Sequence, residues 1–268
     1  MKRNIFIAFV ILLLVTGGIF VQARENNPKI DKEISEYLPP EENGIYDIPG
    51  HPEMKVRVFV HHPKIKMDKK GENSSSLVCD DDPSSDAVVS PAGWHLPNGQ
   101  WVYRLNTISV PSSVGSNNFN TIAQLSFSAW QNAINGKVTF VSGSPTSINR
   151  AKYDGQNIVA WGRTSGSALA VTYTWYYPNT GLVAETDTII NQKFPWSWTD
   201  QSLHPTCGLE NSYDAQNILT HEIGHWMGLN DEYANEYINN TMYGYGFKAE
   251  VKKDTLTGGD INGVKSIY

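Results

Sequence analysis

The sequence predicts an α+β fold: a twisted mixed sheet of five strands with about three helices packed beneath it. Three observations carry this expectation. Five short stretches between positions 100 and 191 are rich in β-branched and aromatic residues. Asn117 to Asn135 sets Phe119, Ile122, Leu125, Trp130 and Ile134 at near-helical spacing, with Gly136 as a stop signal. Two further helical stretches, Asp214 to Gly228 and Thr257 to Tyr268, follow the last strand.

In chain order, Lys2 and Arg3 precede an apolar run from Ile5 to Val21, and Ala23 supplies a small residue for cleavage. Residues 1–23 therefore read as a signal peptide with a mature start at Arg24. An uncleaved membrane anchor is the competing reading, because the run is nearly long enough to span. Residues 24–92 differ in composition, with turn-rich stretches at Pro39–Gly44 and Lys69–Ser76. They are expected to be a propeptide or a loosely ordered spacer. Only Met54 to Val60 alternates like a strand. His61 and His62 are neighbours, so a strand would point them to opposite faces. They are expected to be solvated rather than to share an ion.

The folded domain is expected over residues 93–268. Its strands are Gln100 to Asn106, Lys137 to Val141, Asn157 to Gly162, Ala168 to Tyr177 and Leu182 to Asn191. The last two are joined through Pro178-Asn179-Thr180-Gly181, a turn signal. Ser212 or Asp214 is a candidate cap for the following helix. Across all 268 residues hydrophobic content is 40% and net charge −6. That charge argues against nucleic acid and anionic membranes as main partners.

The chemistry concentrates in His221-Glu222-Ile223-Gly224-His225. Two histidines four apart on a helix lie only about 40° apart around its axis, so both imidazoles can reach one zinc ion. Glu222 lies beside any water on that ion, where a general base is needed. Gly228 falls where the helix must break for the chain to turn back, and Asp231 follows where a third ligand would arrive. Glu232 and Glu236 remain rival ligands. Met242 lies shortly downstream.

This run resembles the metzincin pattern of H-E-x-x-H-x-x-G-x-x-H/D followed by a Met-turn. Within that clan the chain resembles the matrixins, and the aspartate as third ligand is similar to the snapalysins. Trp101 to Asn106 resembles the family's first strand, and Leu256 to Val264 the start of its last helix. The resemblance implies a metzincin-type zincin fold with a small C-terminal subdomain after the zinc-binding helix. It implies one catalytic Zn2+ held by His221, His225 and Asp231, Glu222 as the base, and Met242 as an apolar floor that binds no metal. It also implies that an extended peptide pairs with a sheet edge at Ser167 to Val171, which includes Leu169 and Ala170. Gly244-Tyr245-Gly246 takes the place of the family's pocket wall. Tyr245 would line that pocket or help hold the oxyanion, and Leu219 would face it from the helix.

Several departures limit the carry-over. No histidines lie between Ala170 and Asp187 for the family's structural zinc, so none is expected. Glu185 and Asp187 are candidate calcium ligands or ordinary exposed acids. Gly259 replaces the first of two aspartates in the family's last helix, whereas Asp260, which braces the Met-turn, is kept. Cys79 and Cys207 suggest a disulfide in an exported chain. The alternatives are free thiols or a zinc-blocking switch at Cys79. The function implied is a secreted zinc endopeptidase acting on protein or peptide substrates. The rival is an exported, non-catalytic binding or adhesion module stabilised by zinc.

Overall fold

The computed structural model describes residues 32–64 and 76–268; the expected export segment, 1–23, lies outside them. In chain order the elements are α1 (Lys32–Glu36), β1 (Gly44–Ile48), β2 (His51–Pro63), β3 (Leu77–Cys79), β4 (Gly99–Leu105), α2 (Ser116–Ala133), β5 (Val138–Ser142), β6 (Ile158–Gly162), β7 (Ala170–Tyr177), β8 (Leu182–Asn191), β9 (Trp196–Ser197), β10 (Cys207–Leu209), β11 (Tyr213–Asp214), α3 (Ala215–Trp226), β12 (Tyr245–Gly246) and α4 (Gly258–Lys265). Two 3-10 turns, Asn235–Tyr237 and Lys252–Asp254, lie between α3 and α4. Among the described residues no helix is long and apolar enough to cross a membrane.

The five expected strands are present, but the sheet has eight. Its order is β1-β2-β7-β8-β6-β4-β5, with β12 also paired to β2. β4, β5, β6 and β8 run parallel to one another, and β7 is antiparallel to β8. The extra strands come mostly from the stretch expected to be a propeptide or spacer. β2 pairs antiparallel with β7 from Lys55 to His61, so the expected substrate edge is an inner strand here. The helices number four because α1 adds one short helix to the three expected.

The sheet is buried on both faces. One face packs on α2 and α3 through Phe119, Ile122, Trp130, Trp161, Ile223 and Trp226. Leu125, although in phase with that stripe, is 45% exposed. On the opposite face Met54, Val56, Val58 and Val60 of β2 join Tyr173, Trp175 and Ile189 in a second core with Ile34 of α1. Burial of each such aliphatic side chain is worth about 1.5–3 kcal/mol. β2 is therefore a firmly docked strand.

Glu185 and Asp187 are both about 1% exposed, not surface acids. Glu185 accepts N–H bonds from Asp154 and Gly155, and Asp187 accepts them from Lys152 at 2.9 Å and Ile158 at 3.0 Å. The two carboxylates thus tie down the loop before β6, with backbone donors where a calcium ion would have to sit. Burial raises the pKa of both well above the ordinary range; the charge of Asp187 adds to the effect at Glu185, and that of Asp154 adds to it at both.

Cys79 and Cys207 form a disulfide across the β3–β10 pair. This excludes Cys79 as a switch. The bridge closes a loop of 128 residues and ties the segment preceding the domain to it. In a chain-entropy model that closure is worth about 4–5 kcal/mol. Native protein should therefore show no alkylatable thiol, and Cys79→Ser should lower the melting temperature by roughly 10 °C. Mass spectrometry with and without reductant, and thermal unfolding, check the two halves of this expectation.

Candidate active site

Local chemistry builds the helix that carries the site. Asp214 caps α3, its carboxylate accepting the N–H groups of Gln216 and Asn217 at 2.9 and 3.0 Å. The helix ends at Trp226, and Gly228 follows with φ of +92°. Only glycine adopts that conformation cheaply. A Cβ there would also run into the carbonyl oxygen of Trp94. The chain turns back at this point and delivers Asp231 to the histidines.

His221 Nε2 lies 3.1 Å and His225 Nε2 3.5 Å from Asp231 Oδ1. Four-coordinate zinc with bonds of about 2.0–2.1 Å sets its ligand atoms roughly 3.3 Å apart. His221 Nδ1 donates to the carbonyl of Thr241 at 2.7 Å, and His225 Nδ1 to that of Leu229 at 2.9 Å. A carbonyl can only accept, so each ring carries its proton on Nδ1 and turns the Nε2 lone pair inward. Burial supports the neutral form, lowering the His221 pKa to about 3. The two Nε2 atoms and Asp231 Oδ1 are buried without a hydrogen-bond partner. Three converging lone pairs repel one another unless a cation stands among them, so the donor set fits a zinc ion. Tyr233 donates its hydroxyl to Asp231 Oδ2 at 3.2 Å, which leaves Oδ1 facing the histidines.

The supports reach deep into the fold. Thr241 and Met242 donate their N–H groups to Asp260 at 2.9 and 3.2 Å. Asp260 also closes the capping box of α4 with Thr257. The start of α4 thereby fixes the carbonyl that orients His221. Met242 is fully buried against Gly224, where a Cβ would collide with its sulfur. Gly259 lies against Ala87, whose carbonyl leaves no room for a side chain there.

The rival acids point elsewhere. Glu232 Oε1 accepts from Ser90 N and Oγ at 2.9 and 2.6 Å, and Glu236 is exposed on a 3-10 turn. Glu222 is fully buried. Its Oε2 accepts from Thr172 Oγ1 at 2.6 Å, and its Oε1 from His61 Nδ1 at 3.1 Å. Burial pushes its pKa up to about 7, while the Thr172 hydrogen bond acts to lower it.

His61 is the residue that sequence reasoning misplaced. It is 1% exposed, and its ring lies 4.0 Å from that of His221. Phe59 stacks on His225 at 3.7 Å. β2 thus threads between β7, antiparallel, and β12, parallel. Leu169 N–H donates to the His61 carbonyl at 2.7 Å, and Lys64 N–H to that of Gly246 at 2.8 Å. Ala170 is paired with His61, and Tyr245 stands half-buried on β12 opposite His62. Leu219 is packed in the main core, whereas Ile218 approaches His61 beside Gly246. A family model described as matrixin matches residues 94–268. No curated protein matches the chain.

Proposed function

Since the chain belongs to the matrixin family, we propose that it is a secreted zinc endopeptidase, made as a precursor whose β1–β2 hairpin fills its own substrate cleft. The observation that carries the catalytic half is the meeting of His221, His225 and Asp231 around three unpartnered lone pairs, with the Glu222 carboxylate beside them. A purely structural zinc site needs no buried carboxylate next to its ligands, and Glu222 would be a cost there.

Zinc held by the three ligands would supply Lewis acidity toward a water and toward the scissile carbonyl. Glu222 takes a proton from the attacking water and returns it to the leaving amine. A carboxyl group poised near neutrality suits both transfers. Thr172 holds one carboxylate oxygen and leaves the other for that traffic. β7 and β12 offer backbone groups on both sides of an extended peptide, and the chain's own β2 now uses them.

The blocked cleft supports the precursor reading. β2 buries five large apolar side chains, so a passing peptide will not peel it away, and cleavage must precede activity. The test is a time course with full-length protein, a proteome-derived peptide library and a zinc chelator. Peptidase activity should start low and rise in step with loss of the fragment that ends before Ser76. Chelator should abolish it. Full activity in uncut protein would remove the precursor half, and activity indifferent to chelator would remove the zinc half.

A further inference from the structure

The strand in the cleft shows what the pocket beside the catalytic residues is built to hold. His61 enters it from β2. A Cβ on Gly246 would lie 2.8 Å from Leu169 Cδ1, 2.9 Å from Ile218 Cδ1 and 3.3 Å from His61 Nε2, so Gly246, Leu169 and Ile218 form narrow walls around the imidazole. At its inner end stands Lys253, with Nζ 3.5 Å from His61 Nε2.

Lys253 is an unusual floor for such a pocket. It is fully buried, and its backbone N–H is anchored on Asn217 Oδ1 at 2.9 Å. The ammonium donates to the carbonyls of Tyr243 at 2.6 Å and Tyr245 at 2.9 Å, which spends two of its three donors. The third is left for the side chain in the pocket. Among the described residues no carboxylate lies within 4.0 Å of Nζ. Burial lowers its pKa to about 8, which leaves the group charged at neutral pH. Glu250, Asp231 and Glu222 attract the charge from beyond 4.0 Å, but none of them bonds it, and a neutral imidazole offers the third donor only one lone pair.

We propose that Lys253 makes this pocket a receptor for an acidic side chain, glutamate above all, so that the enzyme cuts peptides beside a glutamate. The inference rests on the endopeptidase reading above. A glutamate carboxylate reaches about as far from the backbone as imidazole Nε2 does, and an aspartate falls one methylene short. In the pocket it would give the third donor a charge-assisted hydrogen bond and the lysine a directly bonded carboxylate. An aliphatic side chain would strand that donor, which is the kind of loss that produces strong discrimination. The two carbonyl bonds alone could be a structural tie across the β12 turn, so the test must read charge preference and not stability alone.

The first arm needs no activity. Full-length protein carrying Glu222→Gln cannot cleave itself and lacks the carboxylate that His61 contacts directly. In that background His61→Glu, His61→Gln and His61→Leu are compared by thermal unfolding, with Lys253 intact and as Lys253→Met. With Lys253 intact, His61→Glu should melt about 3 °C or more above His61→Gln, and Lys253→Met should abolish or reverse the difference. If Lys253→Met does not fold, the Glu-against-Gln comparison in the intact pocket still decides. A glutamate that melts at or below the glutamine variant overturns the proposal. The second arm reads the peptide products of the processed enzyme. Glutamate should be enriched about tenfold at one fixed position beside the cut, and Lys253→Met should remove that enrichment even if some activity survives. Cleavage without acidic preference overturns the proposal while leaving the endopeptidase reading intact. If no peptide is cut, that reading fails and the first arm still judges the pocket.

Discussion

Asp231→Ala should lose zinc and peptidase activity together. Loss of an outer partner of a zinc ligand typically lowers affinity about 10- to 100-fold, so loss of the ligand itself should exceed a hundredfold. The geometry explains why no neighbour can substitute. Glu232 is committed to Ser90, and Glu236 faces solvent. Among the described residues only Asp231 presents an oxygen to both Nε2 atoms. Glu236→Ala should therefore leave zinc content unchanged. Glu232→Ala should keep zinc as well, since its carboxylate is bonded to Ser90 and not to the histidines. Tyr233→Phe should lower zinc affinity by a smaller factor, since it frees Asp231 Oδ2 without removing the ligand. Metal analysis after dialysis against a graded chelator reads all four. Normal zinc in Asp231→Ala would overturn the ligand set.

What the sequence made legible was local. The i, i+4 histidines, the cap at Asp214 and the glycine that ends α3 depend on residues a few positions apart, and their geometry follows from helix rise and backbone conformation. The five strands of the domain were legible for the same reason: each is a short run with its own composition. Strand partnership was not. Nothing in Met54 to Val60 says that it pairs with Ala170 to Tyr177, more than a hundred residues away. The extra three strands and the loss of the expected edge follow from that one pairing.

His61 shows how a sound local rule can lead to a wrong location. Neighbouring strand residues do face opposite ways, and His62 does point away from His61. Yet both faces of β2 are covered, so alternation could not say which side met solvent. Glu185 and Asp187 failed similarly. Two residues apart on β8, they share one face, and only the loop from 152 to 158 folding over that face buries them. Lys253 carried no signal at all, because it is one lysine of an adjacent pair in a polar stretch.

Glu222→Gln should keep zinc and lose about a thousandfold in peptide turnover by the processed enzyme. The substitution preserves shape and changes only the capacity to take a proton. Thr172 can still donate to the side-chain oxygen, and no metal ligand is disturbed, since Glu222 accepts from Thr172 and His61. A neutral amide cannot deprotonate the attacking water. The change should therefore appear in kcat, with KM nearly unmoved, because an extended peptide is held by the backbone of β7 and β12 and not by this side chain. Removing a buried carboxylate whose pKa is raised by burial should also make the protein no less stable above neutral pH, where wild type must hold that group ionised. The folded-state value of about 7 exceeds the ordinary glutamate value of 4.5, so wild type loses stability as pH rises between them, and Glu222→Gln should not show that loss. Turnover, bound zinc and melting temperature across pH 4 to 8 separate the roles. Zinc retained with turnover undiminished would remove Glu222 as the base.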